Sequence, residues 1–191
     1  MISSTAEMVS MHTLEDRSDE ALVEMAAHGE ATSFATLAAR HRRKALRIAY
    51  GILHNRADAE DAVQDAFVRV YRNLSGFRGT SRFSSWLYRI VVNESARLLH
   101  SVRVRPEEVE LDEECISDQG IDPERVLLVR QCLASLPERL RVVLALRGPE
   151  ELDYAEIAEI LRIPVGTVRS RLHEARRLFA ERWKELMKDE D

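Results

Sequence analysis

Two stretches of this chain carry side chains suited to gripping a nucleic acid. If residues 82–100 form a helix, a 100° step per residue puts Trp86, Arg89, Asn93, Arg97 and His100 within about 80° of one another. An indole ring can stack on an unpaired base, and guanidiniums can hold phosphates. Just before it, Phe77, Arg78, Thr80 and Ser81 offer groups able to hydrogen-bond a base drawn out of the stack. The plain alternative is a core Trp86 with solvated arginines. Near the C-terminus, Tyr154–Leu161 and a second helix opening at Pro164 read as a helix-turn-helix pair. Thr167, Arg169, Ser170, Arg171, His173 and Arg177 are the candidates on the second helix to meet base edges or phosphates in a major groove. Arg171 falls beside Thr167, off the centre of the outward face.

A third stripe has a different character. On a helix from Asp58, the residues Ala62, Val63, Ala66, Phe67, Val70, Tyr71 and Leu74 form an apolar face, and Asp61, Gln64, Asp65, Val68 and Arg72 form the opposite one. An exposed valine ringed by acids and an arginine suits docking on a protein. No Gly-rich phosphate loop, metal-ligand spacing or nucleophile motif appears, so neither an enzyme nor a cofactor, metal or small-molecule substrate is expected. Cys115 and Cys132 stand alone and read as reduced thiols.

Helices must position all three stripes. Residues 1–18 read as a mobile leader. Helical spacing runs from Asp19 to Ile52 with a break near Gly29 and Thr32, from Asp58 to Leu74, and from Arg82 to His100. Asp58 is the expected N-cap of the second segment, with Asp61 at N3. Residues 103–122 lose the period and read as a flexible acidic linker. Periodicity returns over Val126–Leu133 and Pro137–Leu146, with Pro137 at N1 and Gly148-Pro149 as a stop. Asp153 and Glu156 form a capping box for Tyr154–Leu161, and the last helix reaches about Met187. The expected fold is all-α, with two small helical lobes, 19–102 and 123–187, that bury little surface between them.

Bulk numbers agree with that scheme. The 191 residues include 7 Gly and 5 Pro, too few to break up long helices. No apolar run is long enough to span a membrane and no secretory leader is apparent, which points to the cytoplasm. The net charge of −5 hides a strong asymmetry. Residues 78–105 hold six Arg against one acid, Glu94, while residues 107–124 hold nine acids and no Lys or Arg. A phosphate backbone feels the local field rather than the total.

The motifs, in order, resemble a known family. They are Asp58-Ala-Glu-Asp-Ala-Val-Gln-Asp-Ala-Phe67, Phe77-Arg-Gly-Thr80, Trp86-Leu-Tyr-Arg-Ile-Val-Val-Asn93, Leu136-Pro137, Tyr154-Ala-Glu-Ile-Ala158 and Pro164-Val-Gly-Thr-Val-Arg-Ser-Arg171. Each alone is weak, but together they resemble the sigma-70 family of bacterial RNA polymerase sigma factors, in its extracytoplasmic-function (ECF) group. The resemblance covers nearly everything after residue 19. It implies that 19–102 is region 2, which binds core polymerase and the −10 element, and that 123–187 is region 4, which reads the −35 element. The Asp61/Gln64/Asp65/Val68/Arg72 face would dock on the clamp helices of the polymerase's largest subunit, and the polymerase flap is a further implied contact. Phe77, Arg78, Thr80, Ser81, Trp86, Arg89, Asn93 and Arg97 would melt and read the −10 element. Region 4's last helix would read the −35 element. The implied partners are core RNA polymerase, promoter DNA and an anti-sigma factor, often membrane-anchored in the family. A stand-alone helix-turn-helix regulator is the alternative. Two positions depart from the family pattern. Arg162 sits in the turn where glycine is usual, and Glu174 stands where relatives often carry arginine.

Overall fold

The computed structural model describes residues 14–101, 123–148 and 152–188. The expected linker at 103–122, with Cys115 in it, and most of the leader lie outside these residues. Among the described residues, eight α-helices follow in order: α1 (Asp19–Ala27), α2 (Ala31–Leu53), α3 (Arg56–Asn73), α4 (Phe83–Ser101), α5 (Pro123–Ser135), α6 (Glu138–Arg147), α7 (Tyr154–Leu161) and α8 (Val165–Leu186), with a 3-10 turn at Leu74–Gly76 after α3. No strand occurs among the described residues, as the helical spacing predicts.

Caps set several boundaries. Ser18 Oγ accepts from the Ala21 amide at 3.3 Å and starts α1. The cap of α3 is Asn55 rather than the expected Asp58: its Oδ1 accepts from the Asp58 amide at 2.9 Å, and its backbone is extended. Asp58 is therefore inside the first turn, where its charge suits the helix dipole. Pro137 is likewise the N-cap of α6 rather than its first helical residue. The predicted capping box of α7 is present, with Asp153 and Glu156 bonded reciprocally at 2.8 and 2.9 Å.

In the N-terminal lobe, α2, α3 and α4 pack on one another, and α1 packs on α2. Packing begins earlier than position 19. Leu14 is buried, and Arg40 fastens the segment by donating to Asp19 at 2.5 Å and to the carbonyls of Glu15 and Arg17 at 2.9 Å each. Tyr71, expected in the core, is instead 54% exposed and rests its ring on Phe34 at 4.9 Å. In the C-terminal lobe, α8 packs on α5, α6 and α7.

The two lobes do not stand apart, contrary to the expectation of little buried surface. Helix α2 packs on α6 and α4 on α7, and one continuous apolar cluster joins Ile48 and Ile52 to Val142 and Leu146. The close approach depends on small residues. A Cβ placed on Gly51 would lie 2.9 Å from the Ala145 Cβ, so only glycine fits there without displacement.

Candidate polymerase and nucleic-acid interfaces

Helix α3 presents Asp61, Gln64, Asp65, Val68 and Arg72 to solvent. Val68 is 43% exposed. Its neighbour is a feature the sequence did not reveal, an open groove of about 810 Å³ between α2 and α3. Phe34, Leu46, Val63, Phe67 and Tyr71 line it, with Arg42, Glu60, Gln64 and Arg72 among its polar groups. An apolar floor with charged edges is the usual anatomy of a protein-docking patch. The helical wheel missed it because Tyr71 looked like core and Phe34 belongs to another helix.

The loop after α3 positions the next group. Arg78 and Thr80 are exposed, and Ser81 is half-buried. Phe77 is not a free contact: its ring lies 4.8 Å from Trp86, tilted by 33°, and 6.2 Å from Phe83, edge to face, so the three rings pack together at the lobe's edge. Trp86 is consequently half-buried, braced from behind and open on part of its surface. Asn93 is exposed.

Arg97 joins two stripes that the sequence treats as separate. Its Nη2 donates to Asp65 Oδ2 on α3 at 2.8 Å, and its Nε to Glu94 Oε2 at 2.8 Å. Glu94 is 4% exposed, and its other oxygen accepts from Arg69 on α3 at 2.5 Å. The bond to Glu94, more than Asp65, holds the Arg97 pKa above its ordinary value. A buried carboxylate is stable only when paired, so Glu94 fixes both guanidiniums at the surface. Neither Arg69 nor the role of Glu94 was legible from the stripe alone.

Arg89 is also occupied. Its Nε donates to the Ile160 carbonyl at 2.9 Å and its Nη2 to the Glu159 carbonyl at 2.8 Å, both in the last turn of α7. Burial, then the nearby Arg162 charge, lower its pKa, and Glu159 opposes them. Elsewhere along the seam, Arg82 meets Glu156 at 3.3 Å and His100 meets Glu138 at 3.0 Å. At the α2 end, His54 takes a left-handed backbone, φ 57°. Burial, then Arg141 and Arg130, push its pKa down to about 4. His54 Nε2 and Arg141 Nε are buried there with no hydrogen-bond partner among the described residues.

In the C-terminal lobe, Val168, Leu172 and Ala175 are buried, which turns the other side of α8 outward. Arg169, Ser170, His173 and Arg177 are exposed, and Thr167 and Arg171 half-buried. Arg177 is held along the helix by Glu181 at 2.7 and 2.9 Å. Arg162 does adopt the left-handed turn that glycine would ordinarily take, φ 54° and ψ 46°. Glu174 pairs with Arg139 of α6 at 3.4 Å, which directs it toward its own lobe. The Cys132 thiol is fully buried, and burial raises its pKa, so it is inert packing.

Comparisons with known proteins match both lobes to one family. Residues 37–103 match the family model of sigma-70 region 2, and residues 127–179 that of sigma-70 region 4. RNA polymerase sigma-H factor of Pseudomonas aeruginosa is 35% identical over 191 residues, covering 92% of this chain and 99% of the relative. ECF RNA polymerase sigma-E factor of Escherichia coli K12 is 37% identical over 177 residues, covering 85% of this chain and 92% of the relative. Among solved structures, CnrH in complex with the cytosolic domain of CnrY superposes with a TM-score of 0.67 at 26% identity, covering 91% of this chain and 99% of that one. The sigma factor RpoE of Bartonella quintana, solved with the anti-sigma factor NepR, shares the fold with a TM-score of 0.56 at 22% identity, covering 78% of this chain and 96% of that one.

Proposed function

The chain belongs to the sigma-70 family of RNA polymerase sigma factors, in its ECF group, and from that premise we propose how its surfaces divide the work. The protein binds core RNA polymerase and directs promoter-specific initiation. The α3 face of Asp61, Gln64, Asp65, Val68 and Arg72, together with the groove beside it, docks on the polymerase clamp helices. The loop residues Phe77, Arg78, Thr80 and Ser81 and the α4 stripe of Trp86, Arg89, Asn93 and Arg97 act at the −10 element. Phe77 serves there by bracing Trp86 rather than by touching DNA. On α8, Thr167, Arg169, Ser170, Arg171, His173 and Arg177 act at the −35 element. The chain divides into region 2 at 19–102, a linker at 103–122 and region 4 at 123–187.

The observation that carries this reading is the coexistence, in one chain, of an exposed docking face on α3, a braced aromatic–arginine stripe on α4 and an outward basic face on a helix-turn-helix. A stand-alone regulator would need only the last of these. The protein acts in the cytoplasm as an initiation factor rather than as an enzyme. No described helix is long and apolar enough to cross a membrane. An anti-sigma factor restrains it, as the family resemblance implies. The closed lobes, with Arg89 drawn onto α7, are a form that such a partner would hold.

Initiation assays test the division. With core polymerase and host promoters the protein should start transcripts, and alone it should start none. Trp86→Ala should impair permanganate-detected opening at −10 more than duplex binding, since a lost base stack costs roughly 1–3 kcal/mol only once strands part. Arg169→Ala should weaken −35 binding by a similar roughly 1–3 kcal/mol if it meets a base edge. Normal melting by Trp86→Ala, or defective melting by Arg169→Ala with −35 affinity intact, would show that the assignment is reversed or wrong.

A further inference from the structure

We propose that the outward basic face of α2 is a docking surface, and that its occupant is the chain's own acidic linker, residues 107–122. None of the promoter or polymerase contacts assigned above takes part in it.

Helix α2 holds five Lys or Arg residues and no Asp or Glu. Two of the five are committed elsewhere: Arg40 fastens the segment before α1, and Arg42 lines the groove toward α3. Arg43 and Arg47, one turn apart, are exposed on the side away from the buried Leu37, Ile48 and Ile52. Lys44 flanks them, its Nζ 5.8 Å from the Tyr88 ring centroid. The stripe does not stop at the end of α2. Tyr50 follows Arg47 on the same face. Its hydroxyl accepts from Arg130 of α5, whose guanidinium sits 5.6 Å from the Tyr50 ring centroid. Arg130 is only about 10 Å along α5 from Pro123, where the linker ends. A row of cations therefore leads from the middle of α2 to the point at which the linker rejoins the fold.

The linker answers that row in sign, spacing and reach. Residues 107–122 hold eight acids and no Lys or Arg. In Glu108-Val-Glu-Leu-Asp112 the acids alternate with apolar residues, so an extended run sets them on one side about 6.6 Å apart. Arg43 and Arg47 are about 6 Å apart along the helix axis. The chain leaves for the linker from the same end of α2: His100 of α4 meets Glu138 of α6, and Arg141 of α6 donates to the Ile52 carbonyl at 3.2 Å. The 21 residues between Ser101 and Pro123 span up to about 70 Å at about 3.3 Å each. Reaching Arg43 from the end of α2 and returning takes only about 30 Å. A tether of that length keeps the acids at roughly millimolar effective concentration beside α2. Nucleic acid, the other polyanion suited to a cationic stripe, has no such advantage. Docking also keeps the linker's charge off the α4 stripe and screens the α2 cations from DNA that carries no promoter.

A nitroxide on Cys115, within the linker, reports the contact in the full chain, and Cys132 is fully buried and stays unmodified. At about 50 mM salt the amide resonances of residues 43–47 should fall below about half of their intensity after the nitroxide is reduced with ascorbate. They should recover at about 1 M salt, where the screening length is about 3 Å. Arg43→Glu/Arg47→Glu should abolish the loss with far-UV dichroism unchanged. Adding Glu108→Lys/Glu110→Lys/Asp112→Lys to that pair should restore it. If the α2 pair loses helicity, the linker triple variant alone, which leaves α2 intact, should abolish the loss. Undiminished α2 signals in the wild type, or a loss that neither reversal changes, would overturn the proposal. So would broadening centred on the α4 stripe rather than on α2. A fluorescein-labelled DNA duplex identifies the rival occupant. Binding that weakens at least about tenfold on Arg43→Glu/Arg47→Glu, with α2 untouched by the nitroxide, would give the face to DNA and refute the linker.

Discussion

Glu94 allows a sharp test of how the −10 stripe is held, because its consequences run against intuition. The carboxylate is 4% exposed, whereas its partners Arg69 and Arg97 are 57% and 55% exposed at their side chains. Replacing both arginines with alanine leaves a buried charge unpaired, and breaking such a pair costs about 3–5 kcal/mol. Glu94→Gln removes the charge itself. The arginines then return to water at little loss, and the amide oxygen still accepts one bond, so the cost is about 1 kcal/mol. For a chain of this size each 1 kcal/mol moves the melting temperature by about 2–4 °C. Arg69→Ala/Arg97→Ala should therefore lower it by about 6–20 °C, and Glu94→Gln by only about 2–4 °C. Scanning calorimetry at pH 7.5 distinguishes the two. A Glu94→Gln protein less stable than the double arginine variant would refute the view that the buried acid, rather than its exposed partners, is the costly member.

Three other outcomes follow from single contacts. Asp61→Arg and Asp65→Arg should both weaken association with core polymerase in a competition assay while leaving helicity intact, and Asp65→Arg should also disturb −10 opening because it repels Arg97, its present partner at 2.8 Å; unchanged core affinity in both would remove α3 as the docking face. Arg162→Gly should raise stability by about 1 kcal/mol, since a left-handed residue with a Cβ costs about 1–2 kcal/mol; a lowered melting temperature would show that the Arg162 side chain offsets its own strain. His54, with its pKa depressed from 6.5 to about 4, favours the neutral form in the fold. The unfolded chain binds the proton first, so this contribution is complete above pH 6.5 and fades as pH falls toward 4, by up to about 3 kcal/mol. His54→Asn, which tolerates the left-handed backbone, should flatten that part of the urea-melt pH profile, and an unaltered profile would dismiss the group as a determinant.

The sequence by itself determined the helices and most of their faces. Periodicity placed Val63 and Val70 inward and Asp61 and Asp65 outward, and Asp153 with Glu156 announced the start of α7, because these features depend on contacts within three or four residues. The order of motifs determined the family for the same reason, since each motif is a local run. What the tertiary structure decided lies between elements far apart in the chain. Burial of Glu94 between Arg69 and Arg97 needs α3 beside α4, and Tyr71 leaves the core because Phe34 of α2 opens a groove there. The junction of the lobes went furthest beyond the local pattern. An apolar stripe on α6 satisfies its own lobe and a second one equally well on a helical wheel, and a wheel carries no record of what lies opposite. Only the packed arrangement sets Gly51 against Ala145 and Arg89 against the end of α7, and so turns a predicted loose pair of lobes into a closed one.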